Sequence, residues 1–304
     1  MNVVVLAGGT GGAKLAAGVQ SIAPDARLTV IANTADDDEF WSLLVCPDID
    51  AAIYRLGGVF NEAAGYGVKD DTFRVLDALR GSGGPDWFRI GDLDFATHID
   101  RTSMLRGGKT LTQATAKIAS VHGVTAHVLP MTDESVRTRF ATEKAELSFQ
   151  EYFVLERLRP QLKGIRFEGI DSARPTPEVL AALADADVVI IGPSNPLISV
   201  APILRLVRDH MPRERTVAVT PIVGGLALKG PTIEMMRALG PEPNPVEVAR
   251  LYGDVAATFV VDRRDAASAD AIEGSGQRVL VLDTVMKDGG ERLASAILGE
   301  LGHV

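Results

Sequence analysis

The residues best suited to chemistry begin at the N-terminus, where a short apolar segment runs straight into a glycine-rich loop and a lysine. Residues 3–7 read Val-Val-Val-Leu-Ala, and residues 8–14 read Gly-Gly-Thr-Gly-Gly-Ala-Lys. Glycines let the backbone approach an anion closely, and the N–H groups of a following helix then point at it. The loop therefore predicts a site for a nucleotide or a diphosphate. The alternative is a tight strand-to-helix turn without a ligand.

Two familiar nucleotide-binding loops do not match this segment. The dinucleotide fingerprint G-x-G-x-x-G requires glycine at the position of Lys14 and an acidic residue where Asn33 stands. A P-loop requires serine or threonine after its lysine, and here Leu15 follows Lys14. The predicted ligand is therefore a phosphate compound bound by neither of these motifs.

Aspartates gather beyond the second predicted strand. Asp36, Asp37 and Asp38 are consecutive, and Asp48 and Asp50 follow a proline. Taken singly, such aspartates are often helix caps or solvated side chains. Carboxylates beside a phosphate site make electrostatic sense with a cation between them, and Mg²⁺ is usually held by one or two carboxylates and substrate phosphates. The cluster favours a magnesium site.

A second polar segment spans residues 91–102 and contains Asp92, Asp94, His98 and Arg101. Its polar residues are too dense for a core element. The segment is either an exposed loop and helix with ordinary ion pairs, or a lid or substrate wall that supplies cations to a diphosphate and a carboxylate. Composition alone leaves both interpretations open.

The loop at residues 192–199 carries prolines at positions 193 and 196, which hold it rigid before a helix. Ser194 and Asn195 are either the N-terminal cap of that helix or a second contact to phosphate or sugar. Core packing is the commoner fate of aromatic side chains, but several are candidates to stack on a flat ring. These are Trp41, Tyr66, Phe73 and Trp87.

Composition limits the class of protein. The 304 residues carry a formal net charge of −9, which argues against a general basic face for nucleic acid. No stretch reaches about 18 apolar residues, so we expect no membrane segment and a cytoplasmic protein. The single cysteine, Cys46, cannot form an internal disulfide. The histidines at positions 98, 122, 127, 210 and 303 lack zinc-site spacing, and each is expected to be a surface or packing residue.

Alternating apolar runs and amphipathic segments predict the elements that position these residues. Strands are predicted at residues 3–7, 28–32, 125–129, 187–191, 216–220, 258–261 and 279–282. Helices are predicted at residues 12–22, 50–56, 70–80, 110–121, 177–185, 199–208, 246–252 and from about 290.

This alternation predicts an α/β protein, a Rossmann-like doubly wound and mostly parallel sheet with an inserted smaller subdomain. We expect a single α/β domain over residues 1–304, with residues 135–170 as the subdomain or an excursion from the sheet. Ligands of such sheets lie beyond the carboxyl ends of the strands. The polar or glycine-rich loops that follow strands should therefore converge on one composite site. These loops are 8–14, 33–38, 192–196 and 220–225.

The order of the motifs makes the chain resemble a known family. The motifs are Gly-Gly-Thr-Gly-Gly-x-Lys, Asn33-Thr34-x-x-Asp37, Cys46-Pro47-Asp48-Ile49-Asp50, Gly91-Asp92-x-Asp94-x-Ala96-Thr97-His98, Leu129 to Asp133, Phe149 to Phe153, and Gly192 to Pro196. Together they resemble the 2-phospho-L-lactate transferase family of coenzyme F-420 biosynthesis, which includes phosphoenolpyruvate transferases. The resemblance runs from residue 1 to about Asp265, and its specificity comes from seven motifs in one order.

The resemblance implies a Mg²⁺-dependent transfer from a guanosine-diphosphate-linked phosphoacid to the ribityl hydroxyl of the deazaflavin Fo, with release of GMP. It also implies a homodimer that binds small molecules. Asp37 and Asp50 are the preferred catalytic and metal-binding residues, with Asp48 as a further ligand. The residues implied to hold the donor are Gly9, Thr10, Gly11, Gly12, Lys14, Ser194 and Asn195. The candidates for the acceptor wall are Tyr66, Asp92, Asp94, His98 and Arg101.

The chain departs from the family pattern at three places. Leu93 replaces an arginine, which removes one cation from the expected acceptor wall, and Tyr66 replaces a tryptophan. The stretch between Asp37 and Cys46 lacks its usual glycine. The alternative hypothesis is a regulatory protein of the related fold that binds a nucleotide sugar and transfers nothing. The Asp50→Asn variant is expected to lose turnover while the fold persists.

Overall fold

A computed structural model describes residues 1–81, 83–228 and 230–303. The strands, in chain order, are β1 (Asn2–Ala7), β2 (Arg27–Ala32), β3 (Asp38–Phe40), β4 (Leu43–Val45), β5 (His127–Pro130), β6 (Arg137–Thr142), β7 (Glu146–Ser148), β8 (Leu162–Glu168), β9 (Val188–Ile191), β10 (Thr216–Val219), β11 (Ile222–Val223), β12 (Leu226–Ala227), β13 (Thr258–Asp262) and β14 (Arg278–Leu282).

The α-helices are α1 (Gly9–Ile22), α2 (Pro47–Leu56), α3 (Arg74–Leu79), α4 (Asp92–Arg106), α5 (Leu111–Val121), α6 (Pro177–Asp185), α7 (Ala201–Val207), α8 (Thr232–Leu239), α9 (Pro245–Tyr252), α10 (Ala269–Glu273) and α11 (Glu291–Glu300). Two π-helical turns span Glu151–Leu155 and Pro196–Val200. None of the helices in the described ranges is long and apolar enough to cross a membrane.

The central sheet has seven parallel strands in the order β14-β13-β10-β9-β1-β2-β5. The chain builds outward from β1 through β2 to β5, and then returns to place β9 on the other side of β1. The strand order reverses between β1 and β9, so the loops that follow these two strands diverge and leave a crevice. The predicted fold class, a doubly wound parallel sheet with an inserted smaller unit, is confirmed.

Both faces of the sheet are covered, which explains the continuous apolar runs of its strands. Along β1, Val3 and Val5 face the layer formed by α1, α2, α5 and α11, while Val4 and Leu6 face the layer that contains α6, α7 and α9. These four side chains are at most 2 % exposed. Burial of each such side chain contributes roughly 1.5–3 kcal/mol, so β1 is a rigid base for the loop that follows it.

Residues 137–168 leave the parallel sheet and form a separate antiparallel sheet in the order β7-β6-β8. The Thr138 hydroxyl donates to the Asp36 carboxylate at 2.8 Å and ties this unit to the end of β2. Phe140 packs with Phe149, Tyr152 and Phe153 around the first π-helical turn. This turn is thereby carried to the mouth of the crevice.

The polar segment at 91–102 differs from its prediction. It forms most of α4, a helix of 15 residues, and its polar side chains at positions 94, 97, 98, 101 and 102 are buried. The expectation that they are too polar for a core element is wrong, because they pair with one another and with α2. The sequence also did not predict the β3–β4 hairpin or α8.

Candidate functional site

Two adjoining cavities open at the crevice between β1 and β9. One has a volume of about 630 Å³ and the other about 370 Å³, and both are lined by Gly9 and Thr10 at the start of α1. We call the larger one the aromatic cavity and the smaller one the glycine-loop cavity. Two pockets that share the first turn of one helix can hold two ligands with their reacting groups in contact.

The glycine loop is shaped by close packing as well as by backbone conformation. A Cβ atom on Gly12 would lie 2.7 Å from the Cα of Ala7, and Cβ atoms on Gly8 or Gly11 would collide with the carbonyl oxygens of Ser199 or Pro193. Gly9 has φ of +71°, in the left-handed region that favours glycine. The glycines therefore let α1 start in contact with β1 and with the 192–199 loop, as a tight turn also would.

The first N–H group of α1 already has an anionic partner. The Gly9 N–H donates to Asp48 Oδ1 at 2.6 Å, and Asn33 Nδ2 donates to Asp48 Oδ2 at 2.9 Å. Burial raises the pKa of Asp48 to about 6, against these two hydrogen bonds, which lower it. At neutral pH a carboxylate thus lies at the helix N-terminus, and a bound phosphate would face it there.

Asp50 and Arg101 form a buried ion pair between α2 and α4. The guanidinium of Arg101 binds both oxygens of Asp50 and also donates to the Leu44 carbonyl at 3.3 Å. Burial opposes the charge of Arg101, but the adjacent Asp50 raises its pKa further above the ordinary value. Arg101 is fully buried and lines neither cavity as they are described, so its contact is with Asp50 instead of an open wall.

Asp50, Asp94 and His98 bring ligand atoms to one point. One atom from each lies within 4.8 Å of the others, and within the described ranges this is the one such trio of potential metal ligands. His98 Nδ1 lies 3.7 Å from Asp50, and its Nε2 lies 3.5 Å from Asp94. All three residues line the aromatic cavity.

Tyr54 orients the Asp94 carboxylate in this trio. Its hydroxyl donates to Asp94 Oδ1 at 2.7 Å. Burial works to raise the pKa of Asp94, but His98 and the Tyr54 hydroxyl outweigh it and hold the pKa below its ordinary value. Asp94 is therefore a carboxylate at neutral pH, as a metal ligand must be.

The three aspartates predicted as metal ligands do not gather around one point. Asp50 belongs to the trio and Asp48 lies beside it on the cavity wall, but Asp37 lines neither cavity in the described ranges. Asp37 is buried, and its Oδ1 has no hydrogen-bond partner among the described residues. Burial raises the pKa of Asp37 to about 8, although Arg137 and Cys46 lower it. The antiparallel pairing of Asp38 with Val45 places Asp37 beside Cys46 at the start of α2, but outside the trio.

Asp92 also lies away from both cavities. Its carboxylate accepts from the Arg74 and Val75 N–H groups at 3.1 and 2.9 Å and so caps α3. Leu93, where a cation was expected, is 54 % exposed on the outer side of α4 and lies beside Val121. Leucine in place of arginine at this position therefore removes no cation from the wall of the aromatic cavity.

Aromatic side chains form the walls of the larger cavity. Tyr66 and Trp87 were predicted as stacking candidates and line it; Phe60 and Phe88 line it as well and were not predicted. Trp41 belongs instead to the packing cluster around Phe40, as does Phe73. Gln150, from the inserted unit, closes the cavity from the side.

The glycine-loop cavity contains most of the predicted donor ligands. Lys14, Ser194, Asn195 and Gly11 line it, together with Phe149. The Gly12 N–H donates to Ser194 Oγ at 3.3 Å, so Gly12 supports the loop and does not line the cavity itself. Asn195 Oδ1 accepts from the Leu197 N–H at 2.9 Å. Asn195 therefore caps the helical turn that follows, whether or not it also contacts a ligand.

Sequence reasoning missed Tyr54 and the pairing of Arg101, although part of the signal was available. Tyr54 follows Asp50 by four residues, and His98 follows Asp94 by four, so each pair lies on one face of its helix. That spacing places polar side chains together on α2 and on α4. It does not tell which helix faces the other.

Comparison with known proteins identifies the family. A family model described as 2-phospho-L-lactate transferase CofD matches residues 3–297. A 2-phospho-L-lactate transferase of Methanosarcina barkeri is 37 % identical over 98 % of this chain and 97 % of its own length. A phosphoenolpyruvate transferase of Streptomyces griseus is 39 % identical over 95 % of this chain and 94 % of its own. The chain belongs to the CofD family, and the predicted phospho-group transferase of F-420 biosynthesis is confirmed at that level.

A solved structure shares the fold. A Bacillus halodurans protein of the UPF0052 family aligns with a TM-score of 0.64 and 16 % identity over 98 % of each chain. At this identity the likeness concerns the architecture alone.

Proposed function

We propose that this chain transfers a phospholactyl or phosphoenolpyruvyl group from a guanosine-diphosphate-linked donor to the ribityl hydroxyl of the deazaflavin Fo, releasing GMP. The observation that carries the proposal is the pair of cavities that share Gly9 and Thr10. Their linings differ in the way that two such substrates require.

The glycine-loop cavity suits the donor. It offers the Lys14 ammonium, the start of α1 and the hydroxyl of Ser194, which together attract phosphate oxygens. The stacked rings of Phe149 and Phe153, 4.2 Å apart, line the same cavity and provide an apolar surface for a base.

The aromatic cavity suits the acceptor. Tyr66, Trp87 and Phe88 present rings to a flat polycyclic ligand. The acidic cluster of this cavity, formed by Asp48, Asp50 and Asp94, lies at the end that contains Thr10. A deazaflavin in this cavity directs its ribityl chain toward the shared loop. Its terminal hydroxyl then meets the distal phosphate of the donor.

The residues present fit a magnesium ion. Asp50 and Asp94 supply the carboxylate oxygens that Mg²⁺ prefers, and His98 Nε2 is buried without a hydrogen-bond partner among the described residues. The nearby Asp48 carboxylate would otherwise repel the donor phosphates. When bound, the ion would neutralise charge on the diphosphate.

The chain's own groups then position the reactants. The ribityl oxygen attacks the distal phosphorus, a new P–O bond forms, and the bond from that phosphorus to the bridging oxygen of GMP breaks. The hydroxyl proton passes to a carboxylate of the acidic cluster, and Lys14 compensates charge on the phosphate of the departing GMP. Catalysis of this kind depends on alignment and charge compensation and needs no covalent intermediate on the protein.

The test is an assay of the purified protein with Fo, Mg²⁺ and GDP-linked phospholactate, phosphoenolpyruvate or phosphoglycerate as donor. We expect GMP and the deazaflavin phosphodiester in equal amounts, and loss of both on chelation of the metal. The matched control is Asp92→Asn, which alters an α3 cap outside the cavities. No product with any donor, together with tight binding of a UDP-sugar, would establish the regulatory alternative instead.

We further propose that the protein works in the cytoplasm as a homodimer, as its family resemblance implies. The buried free thiol of Cys46 is compatible with a reducing compartment. Light scattering of the purified protein tests the dimer, and fractionation of its native cell tests the compartment.

A further inference from the structure

The two-residue turn of the β3–β4 hairpin has an unfavourable backbone conformation. Its two turn residues, Trp41 and Ser42, have φ of 55° and 60°, although neither is glycine. Two-residue turns of this kind usually contain Asn-Gly, because L side chains crowd the backbone at positive φ. This is also the stretch in which the chain lacks the glycine that its family usually has. Non-glycine residues persist in such a conformation when surrounding contacts hold them there.

Those contacts lead to the wall of the aromatic cavity. The Trp41 ring lies directly against Gly84, where a Cβ atom would collide with three ring carbons. The neighbouring Phe40 stacks on Phe88 with ring centroids 3.8 Å apart and meets the edge of Trp87 at 5.6 Å. The hairpin thus supports both ends of the segment that presents Trp87 and Phe88 to the cavity.

The other side of the hairpin is fixed to α4, the helix that carries Asp94 and His98. The Leu44 N–H donates to Thr102 Oγ1 at 2.9 Å, and Arg106 donates to the Ser42 carbonyl at 3.0 Å. Arg101, which binds Asp50, also donates to the Leu44 carbonyl. One short hairpin therefore contacts both the aromatic wall and the ion pair behind the trio of potential metal ligands.

We propose that Trp41 is a positioning residue: through Gly84 it sets the distance between the aromatic wall and the acidic cluster, and so the fit of a flat polycyclic acceptor. Trp41 lines neither cavity within the described ranges and touches no substrate. The part of this inference that concerns an acceptor rests on the proposed function. The part that concerns the placement of Trp87 does not.

A double-mutant cycle tests the contact. Trp41→Ala removes the ring and keeps a non-glycine residue in the turn, and we expect the acceptor KM to rise about tenfold, the effect of losing a well-packed aromatic contact. The donor KM and kcat are expected to change far less. Gly84→Ala alone should raise the acceptor KM similarly, because its Cβ displaces the ring. In the Trp41→Ala background, Gly84→Ala should add nothing, because the space is then free.

The two tryptophans of the chain permit a second readout without turnover. In both Trp41→Phe and Trp41→Ala, Trp87 is the one remaining tryptophan, so its fluorescence reports the wall directly. We expect acrylamide to quench Trp87 more strongly in Trp41→Ala than in Trp41→Phe, since phenylalanine retains a ring against Gly84. Trp41→Phe should also retain most of the acceptor affinity.

The control is Ser42→Gly, which relieves the other strained turn residue and removes no ring; it is expected to leave the acceptor KM unchanged. In the Trp41→Phe background, where Trp87 is the one tryptophan, Ser42→Gly is expected to leave the quenching of Trp87 unchanged. An equal effect of Gly84→Ala with and without Trp41, or equal quenching in the two Trp41 variants, would overturn the inference. If the wild type transfers to no acceptor, the proposed function fails, and the quenching comparison alone still decides the placement of Trp87.

Discussion

Replacement of Arg101 by methionine tests whether the buried guanidinium stabilises and orients the Asp50 carboxylate. Arg101 is fully buried, and the Asp50 side chain is 6 % exposed, so water screens their interaction very little. Methionine has a similar length and apolar volume, and the substitution removes charge and hydrogen bonds more than it removes packing. The Asp50 carboxylate is then left buried without its partner.

The expected loss follows from that burial. Removal of one partner from a buried ion pair costs roughly 3–5 kcal/mol, because the remaining charge is uncompensated. Replacement of both partners by neutral groups is far less costly, so Asp50→Asn in the Arg101→Met background should recover on the order of 2 kcal/mol or more. Asp50→Asn alone should also destabilise the protein, because Arg101 then loses its counter-charge. We therefore expect the Asp50→Asn variant to fold, but with a lower free energy of unfolding than the wild type.

Urea denaturation of the wild type, the two single variants and the double variant measures these differences. Arg106→Met is the matched control, because Arg106 makes an exposed hydrogen bond to a backbone carbonyl and has no carboxylate partner among the described residues. Its free energy of unfolding should fall by less than about 1 kcal/mol. Turnover, measured at 25 °C on the folded fraction, should also fall in Arg101→Met, since Asp50 loses its orientation.

Two results would refute the reasoning. If Arg101→Met unfolds with nearly the wild-type free energy, the pair contributes little and Arg101 is available to a ligand, as a cation of the acceptor wall would be. If the double variant is less stable than Arg101→Met, the uncompensated carboxylate is not the source of the loss.

Three further predictions concern the cavities and the buried aspartates. Lys14→Met should raise the donor KM roughly tenfold to a hundredfold in steady-state kinetics and leave the acceptor KM unchanged, because it removes one charge-assisted contact to the donor phosphates. A change in the acceptor KM alone would contradict the assignment of Lys14 to the donor site. Asp94→Asn should raise the Mg²⁺ concentration for half-maximal turnover at least about tenfold, and an unaltered Mg²⁺ titration would remove Asp94 from the metal site. Because burial raises the pKa of Asp37 from its ordinary 3.8 to about 8, its contribution to stability is present below pH 3.8 and is lost as the pH rises through 8. Asp37→Asn should therefore unfold at a higher urea concentration than the wild type at pH 9, with the difference shrinking toward pH 4. Equal midpoints at pH 9 would show that the pKa of the Asp37 carboxyl is not raised.

The strands and several helices could be predicted because burial on both faces of a parallel sheet leaves a continuous apolar signal. The helix predicted at residues 177–185 is α6, and the strand predicted at 187–191 contains β9 at Val188–Ile191. The helix predicted at 50–56 begins earlier, at Pro47, because proline is well suited to the first turn. The motif order likewise identified the family, since each motif is a local string of residues.

The polar face of α4 could not be predicted with the same rules. Hydrophobic patterning treats Asp94, His98 and Arg101 as exposed, but in the structure their charges pair across to α2, with Asp50 51 residues away from Arg101. A charge can be buried without a large loss of stability only when its partner is in place, and the partner depends on how the two helices pack.

The sequence by itself determined the sheet, the glycine loop after β1 and the family, because each depends on residues that are close together along the chain. The tertiary structure alone decided what the polar residues do. It placed the Asp48 carboxylate on the Gly9 N–H, brought Asp94 and His98 to Asp50, and turned Asp92 away as a helix cap. The physical reason is that a carboxylate acts according to its burial and its partners, and both are set only when separate elements meet.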